Sequence, residues 1–333
     1  MVSVGPPETL PTTLLTGFLG SGKTTLLRRA LASPALADTA VIINELGQIA
    51  IDHHLVDFVE GDVLELPGGC LCCAVREDLA RTLRSLLERR DAGEIRQFRR
   101  VVIETTGLAD PAPILFTLGA DPMLDHTLHL ARVVTLIDAV TGAENLDRFA
   151  EAARQAALAD TLVITKTDLV PLGPGLLRRL DALNDRAGRI VAAPNADAGP
   201  ILFSSRGRAA VSATPSRSSA AAHTHGIDAF GVILEGAITR LDFARALGSL
   251  AGARGTDLLR VKGIVSFADR LERPAVVQSV QHAMFAPEWL DDWPDQDHRS
   301  RLVFIVHDIP RDEILAHFAF AAPALWRAPS QEA

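Results

Sequence analysis

Two short stretches hold residues whose types and spacing could do chemistry. The first is GFLGSGKT, Gly17 to Thr24, which fits G-x-x-x-x-G-K-[ST] behind a strand-like run and ahead of a helical one. Its glycines, Gly17, Gly20 and Gly22, let backbone N–H groups curl around a β-phosphate at a helix N-terminus. Lys23 would reach the β- and γ-phosphates, and Thr24 would coordinate Mg²⁺. A glycine-rich turn that only caps a helix seldom matches all eight positions in this context. The second stretch is GGCLCC, Gly68 to Cys73, which contains every cysteine of the 333-residue chain: Cys70, Cys72 and Cys73. Residues two apart in an extended segment share a side, so Cys70 and Cys72 can converge, and the glycines allow a tight path that brings in Cys73. Three soft ligands suit Zn²⁺, or Co²⁺ with the same tetrahedral set, while Cu(I) tolerates fewer thiolates. The incomplete shell leaves a fourth position for Glu45, water or a recipient protein, and it favours transfer over structural locking.

Further carboxylates lie in an order that supports the first stretch. VVIETTG ends an apolar run with Glu104, where a second Mg²⁺ acid is expected, and Gly107 could present its N–H to a γ-phosphate. TKTD, residues 165–168, closes another apolar run, and Asp168 can accept from both the N1–H and the exocyclic amine of guanine, a donor pair that adenine lacks.

These residues need a scaffold. The runs at 12–17, 40–44, 100–105, 132–138, 161–165 and 189–193 are nearly continuously apolar, as strands covered on both faces are. Amphipathic stretches at 24–33, 76–90 and 144–158 alternate with them as crossover helices, which gives right-handed β-α-β units and a mostly parallel sheet. Small and polar residues from 204 to 226 then break the rhythm and read as a linker. Beyond it, strands near 229–238, 257–267, 274–281 and 301–308, a helix at 239–250 and a last helix from about Pro310 predict an antiparallel sheet with helices on one face. The expected organisation is an α/β P-loop domain over 1–205, a linker over 206–227 and a smaller α+β domain over 228–325.

Composition sets the company this protein keeps. A hydrophobic fraction of 48% with 22% charged residues is that of a folded globular chain. The net charge of −8 speaks against a nucleic-acid footprint, and no run has the length or continuity of a membrane span. With an odd number of thiols and no signal-like N-terminus, reduced cysteines in the cytoplasm are expected.

The order GFLGSGKTTLL, INELGQIAID, GGCLCC, ETTGLADP and TKTD, followed by RVKGIVSFAD and RPAVVQSVQ, closely resembles the CobW-type P-loop GTPases. This family handles metals and includes cobalt and zinc chaperones and metalloenzyme activators. The resemblance spans both domains, and its C-x-C-C element is the family signature. It implies that Ser21, Lys23, Thr24 and Thr25 contact phosphates and Mg²⁺, that NELGQIAID is the first switch, that Glu104 is the second acidic motif and that Lys166 with Asp168 reads guanine. Two positions depart from the family pattern. Thr165 stands where an Asn is common, which predicts looser guanine selectivity, and Gln48 replaces a second acid of the switch.

The resulting expectation is a slow GTPase that binds Zn²⁺ or Co²⁺ at Cys70, Cys72, Cys73 and Glu45 and hands it to a client metalloprotein. It would act as a monomer or weak homo-oligomer, with Lys23, Glu104 and Glu45 as catalytic groups and Asp52 as a further candidate to orient water. Two rivals stay open: a P-loop kinase with a structural zinc clip, and a metal- or redox-sensing GTP-binding module. His223 and His225 read as part of a solvated linker before they read as a second metal site, and His53 and His54 carry no signal of their own.

Overall fold

In a computed structural model of the chain, residues 9–44, 63–65, 72–194, 196–203 and 225–326 are described. They cluster into two compact units, one built on residues 1–176 and 187–208, the other on 177–186 and 209–333.

The first unit opens with β1 (Leu10–Gly17), the P-loop turn and α1 (Lys23–Leu31), then β2 (Thr39–Asn44) and β3 (Val63–Glu65). Next come α2 (Cys72–Asp91), β4 (Arg100–Thr105), α3 (Ala112–Ala120), α4 (Pro122–Thr127) and β5 (Leu128–Asp138). The chain continues through α5 (Gly142–Arg148), α6 (Ala150–Ala157), β6 (Thr161–Thr165), α7 (Pro174–Asn184), whose residues from Leu177 onward group with the second unit, β7 (Gly188–Val191) and α8 (Gly199–Phe203). The seven strands form one sheet in the order β3-β2-β4-β1-β5-β6-β7, and all six pairings are parallel. From β1 the chain winds outward to β3, returns to insert β4 beside β1, and then adds β5 to β7 on the other side. The direction of winding therefore reverses around β1, and in open α/β sheets such a switch point leaves a crevice at the carboxyl ends of the strands. The continuous apolar runs have their expected cause, since every residue of β6 and all but the first of β4 are buried. On one face Leu26, Leu27 and Ala30 of α1 pack with Ile201 and Leu202 of α8 over Leu15, Val102, Val134 and Val163.

Two expectations need correction here. The apolar pattern over 144–158 is not one helix. It breaks at Phe149, whose backbone is extended (φ −122°, ψ 118°) and whose ring stacks on Phe18 of the P-loop turn at 4.7 Å. The backbone of Cys72 and Cys73 already belongs to α2, so the spacing argument from an extended segment does not hold for those two residues.

The second unit holds β8 (Ile227–Leu234), α9 (Arg240–Arg254), β9 (Leu258–Val265), β10 (Ala275–Val280), β11 (Ala283–Met284), β12 (Glu288–Trp289), β13 (Ser300–His307), α10 (Arg311–His317) and β14 (Ala324–Leu325). Its sheet has the order β11-β10-β9-β13-β8-β14, with β12 paired to β10, and it is antiparallel throughout. Alternate residues of the strands, among them Val232, Leu302 and Phe304, join Phe243 and Leu250 of α9 and Ile314 of α10 in one core. The helices thus cover a single face, as the period-two pattern requires. Arg301 points to the other face and is fully buried, with Nη1 2.9 Å from Asp295. Among the described residues, no helix is long and apolar enough to cross a membrane.

Candidate functional site

The crevice at the carboxyl ends of β1, β4, β5 and β6 gathers most of the residues singled out above. Gly17 ends β1 at φ 144°, and Gly20 and Gly22 follow at φ 70° and 95°, conformations that side chains with a Cβ rarely adopt. A Cβ on Gly17 would lie 2.6 Å from Leu136 O and 2.7 Å from Ser21 Oγ, so the turn closes only with glycine there. Gly22 caps α1 in the left-handed conformation and accepts from Leu26 N at 2.9 Å. Lys23, 8% exposed, folds its ammonium back onto the turn and donates to Gly17 O at 2.7 Å and Phe18 O at 3.2 Å. The turn thus holds within it a cation suited to phosphate oxygens. Ser21 Oγ is buried and makes no hydrogen bond, a polar atom facing the same turn that an anion could satisfy. Thr25 sits exposed in the first turn of α1.

Thr24 Oγ1 donates to Glu104 Oε1 at 3.2 Å, and Glu104 is 4% exposed. Glu104 is in register with Leu15 of β1 and Ile43 of β2, so the central strands carry it to the edge beside the P-loop. A hydroxyl and a carboxylate converging at that distance make an all-oxygen donor set, which fits a hard divalent cation such as Mg²⁺. The turn after Glu104 is packed hard against the P-loop. A Cβ on Gly107 would meet Leu19 Cδ2 at 2.6 Å and Leu19 Cα at 2.9 Å, and Thr105 Oγ1 donates to Thr16 Oγ1 at 2.8 Å.

At the end of β6, Thr165 Oγ1 donates to Ser21 O at 2.7 Å. Its hydroxyl is therefore engaged with the P-loop backbone. Lys166 adopts φ 58°, which turns the chain so that its Nζ lies 3.5 Å from Asp138 Oδ2, and Asp168 follows, exposed, in the same turn.

Three contributors escaped the sequence reading. Asp138, at the end of β5 and 3% exposed, accepts from the N–H groups of Val140 and Thr141 at 2.9 and 2.6 Å and from Thr141 Oγ1 at 2.9 Å. A strand-ending Asp with Thr three residues on is the available signal. Gln155 of α6, fully buried, donates from Nε2 to Gly107 O at 3.1 Å and Ala109 O at 2.9 Å. Phe149 anchors Phe18. Neither Gln155 nor Phe149 has a local pattern that would reveal its role.

Glu45, Gln48, Asp52, His53, His54, Cys70 and His223 lie outside the described residues, as does the whole stretch 204–224. Cys72 and Cys73 are placed by their backbone at the start of α2. Among the described residues, no group of three or more His, Cys, Asp or Glu is disposed to hold a metal ion.

A switch-point crevice that brings together a phosphate-cradling loop, a hydroxyl–carboxylate pair and an acid-ended base-side turn defines a P-loop nucleoside-triphosphate-binding protein. The family comparisons narrow this further. Residues 11–190 match the CobW/HypB/UreG nucleotide-binding domain, and residues 227–322 match the cobalamin synthesis protein cobW C-terminal domain. The chain belongs to the CobW family of P-loop GTPases. The zinc chaperone YjiA of Escherichia coli (strain K12) is 35% identical over 312 residues, covering 92% of this chain and 97% of that protein. The crystal structure of the Zn(II)-bound YjiA GTPase from E. coli aligns with a TM-score of 0.66 at 30% identity, covering 94% of this chain and 99% of that one. The zinc-regulated GTPase metalloprotein activator 1 of Schizosaccharomyces pombe is 34% identical over 174 residues, 49% of this chain and 40% of its own length.

Proposed function

We propose that this GTPase is a metallochaperone: it binds Zn²⁺ through Cys70, Cys72 and Cys73, with Glu45 as a fourth donor in the triphosphate state, and delivers the ion to a client metalloprotein. The nucleotide half rests on the hydrogen bond between Thr24 and Glu104, which ties the P-loop helix to the acid of the neighbouring strand. The metal half rests on three thiols within four residues running into α2 of the same unit, and on the zinc named for its relatives.

The chemistry asked of the chain is modest, because phosphoryl transfer relies on positioning and charge stabilisation. Gly17, Gly20, Ser21 and Gly22 offer the turn and Lys23 the charge that hold the β- and γ-phosphates, with Thr25 beside them in the first turn of α1. Thr24 and Glu104 would hold Mg²⁺, which when bound neutralises charge developing on the phosphate oxygens. The Gly107 N–H meets the γ-phosphoryl group, and Asp52 or Glu45 of the first switch orients water. Lys166 and Asp168 select guanine, Asp168 by accepting from its two donors. Hydrolysis is slow in isolation, since the P-loop contains no arginine to act as a finger in cis. The triphosphate draws the first switch and Glu45 toward the thiols, and hydrolysis releases both. Such coupling is reciprocal, so bound metal must also change nucleotide affinity.

The test measures Zn²⁺ affinity with a non-hydrolysable GTP analogue and with GDP, in the unmodified protein and in Cys72→Ser, alongside melting with and without chelator. Tighter binding with the analogue, its loss in Cys72→Ser and an unchanged melt in chelator are expected. Equal affinity in both states together with unfolding in chelator would instead mean a structural zinc. Running Co²⁺ in parallel decides between the two metals.

A further inference from the structure

Gln155 is fully buried on α6 among Ala152, Ala153, Ala156 and Ala157, a place where leucine or methionine would fill space without a polar atom. Its orientation is fixed by chemistry: both partners of Nε2 are carbonyls, Gly107 O and Ala109 O, and only the amide nitrogen can donate to them. That orientation leaves Oε1 buried without a hydrogen bond. Packing alone does not favour an arrangement that strands an acceptor, so the residue at 155 answers to the two carbonyls. Arg154, its neighbour on α6, grips the same turn through Asp110 Oδ2 at 3.0 Å, and Asp110 Oδ1 accepts from Ala112 N at 2.9 Å where α3 begins.

The held carbonyls determine where the N–H groups point. In a trans peptide the N–H opposes the C=O of its own plane, so fixing Gly107 O and Ala109 O aims the N–H groups of Leu108 and Asp110 away from Gln155. The turn is closed by Ala109 N donating to Thr106 O at 3.2 Å, which sets the Gly107 N–H in the same way. With Leu19 of the P-loop against Gly107 on one side and Gln155 on the other, this turn cannot reorient alone.

We propose that Gln155 is a positioning residue for hydrolysis: its side-chain amide sets the turn after Glu104 so that recognition of the γ-phosphoryl group, and not nucleotide binding in general, depends on it. This inference rests on the nucleotide half of the proposed function. In Gln155→Leu, which keeps most of the volume and removes both donors, affinity for a non-hydrolysable GTP analogue should fall about tenfold while GDP affinity stays within about twofold, a coupling loss of ordinary size. The turnover number should fall with the analogue affinity. Gln155→Met, a second apolar replacement that adapts to irregular space, should behave alike.

A residue that only supported the fold would lower both affinities together or move only the melting temperature, and either result overturns the proposal. Should neither variant fold, hydrogen exchange in the unmodified protein decides. The amide of Gly107 should gain protection with the analogue and not with GDP, and equal protection in both states overturns the idea. Failure of the unmodified protein to bind either nucleotide would remove the underlying reading itself, whereas normal binding with an unchanged analogue-to-GDP ratio in Gln155→Leu removes only the role of Gln155.

Discussion

Replacing Thr165 with valine tests whether the base side and the phosphate side of the site are mechanically joined. The Thr165 hydroxyl donates to Ser21 O at 2.7 Å in a residue only 8% exposed. Valine has the same shape and cannot donate, so the Ser21 carbonyl is left buried without this partner. Such an unmade bond costs about 1–3 kcal/mol, and the extra buried methyl offsets about 0.8 kcal/mol of it at most. A net loss of about 1–2 kcal/mol should lower the melting temperature of the first unit by about 2–4 °C per kcal/mol, the scaling for a domain near this size. Ser21 O also fixes the plane that carries the Gly22 N–H, at the position where the P-loop turns into α1. Freeing it should weaken GDP binding by up to about five- to thirtyfold, since 1.4 kcal/mol is a decade of affinity. Calorimetric titration of GDP and thermal melts of Thr165→Val and Thr165→Ser check both numbers, with serine expected to restore most of the loss. If valine binds and melts like the unmodified protein, the hydroxyl carries no load. If serine, which keeps the hydroxyl, is as impaired as valine, the bond to Ser21 O does not account for the loss and the link fails.

Asp168→Asn should shift base preference toward xanthosine triphosphate by about tenfold relative to GTP, as expected when a bidentate acceptor pair is replaced by a group that donates on one side; competition titrations showing an unchanged ratio would remove Asp168 from base reading. In the second unit, hydrogen bonds from the Arg299 side chain above all pull the Asp297 carboxyl down from 3.8 to about 2. A depressed folded value means that its stabilisation is present above the ordinary carboxylate pKa and is lost as pH falls through the folded one. Melts followed between pH 3.8 and about 2 should therefore drop less steeply in Asp297→Asn than in the unmodified protein, and parallel curves would refute the assignment.

The strands were legible because their signal is local. The runs at 40–44, 100–105 and 161–165 became β2, β4 and β6 within a residue, since a strand buried on both faces needs no partner in the sequence to look apolar. β3 has three residues and β14 two, too few for any period to register. α4 was missed although its start signal was present: Asp121 accepts from Met123 N and Leu124 N, and Pro122 occupies the first helical position. The break at Phe149 was invisible for a different reason. Its cause is a ring more than a hundred residues away, and nothing in the amphipathic pattern of 144–158 anticipates that Phe18 needs a platform.

The same division runs through the site. Glycines, lysine and threonine of the P-loop are recognisable because each answers to backbone geometry within eight residues, and Glu104 and Asp168 because each lies at or just beyond the end of an apolar strand. The groups that fix the loop in place are remote from it: Thr165 reaches Ser21 across 144 positions, Thr105 reaches Thr16 across 89, and Gln155 reaches the turn beside Leu19 across 48. Thr165 and Thr105 lie inside the TKTD and ETTG stretches and Gln155 in none, yet no spacing states these tethers, because what each must match is a carbonyl or hydroxyl brought near by the sheet order. The consequence is mechanical. A P-loop tethered on one side to β4 and its following turn, and on the other to β6, cannot shift without moving both. Under the proposed function, a γ-phosphoryl group pulling on the turn at Gly107 would work against α6 through Gln155, while a base held at Asp168 would work against the loop through Thr165. On that reading the two tethers would give the nucleotide separate handles on the frame, one for the third phosphate and one for the base, and variants at 155 and 165 should separate them.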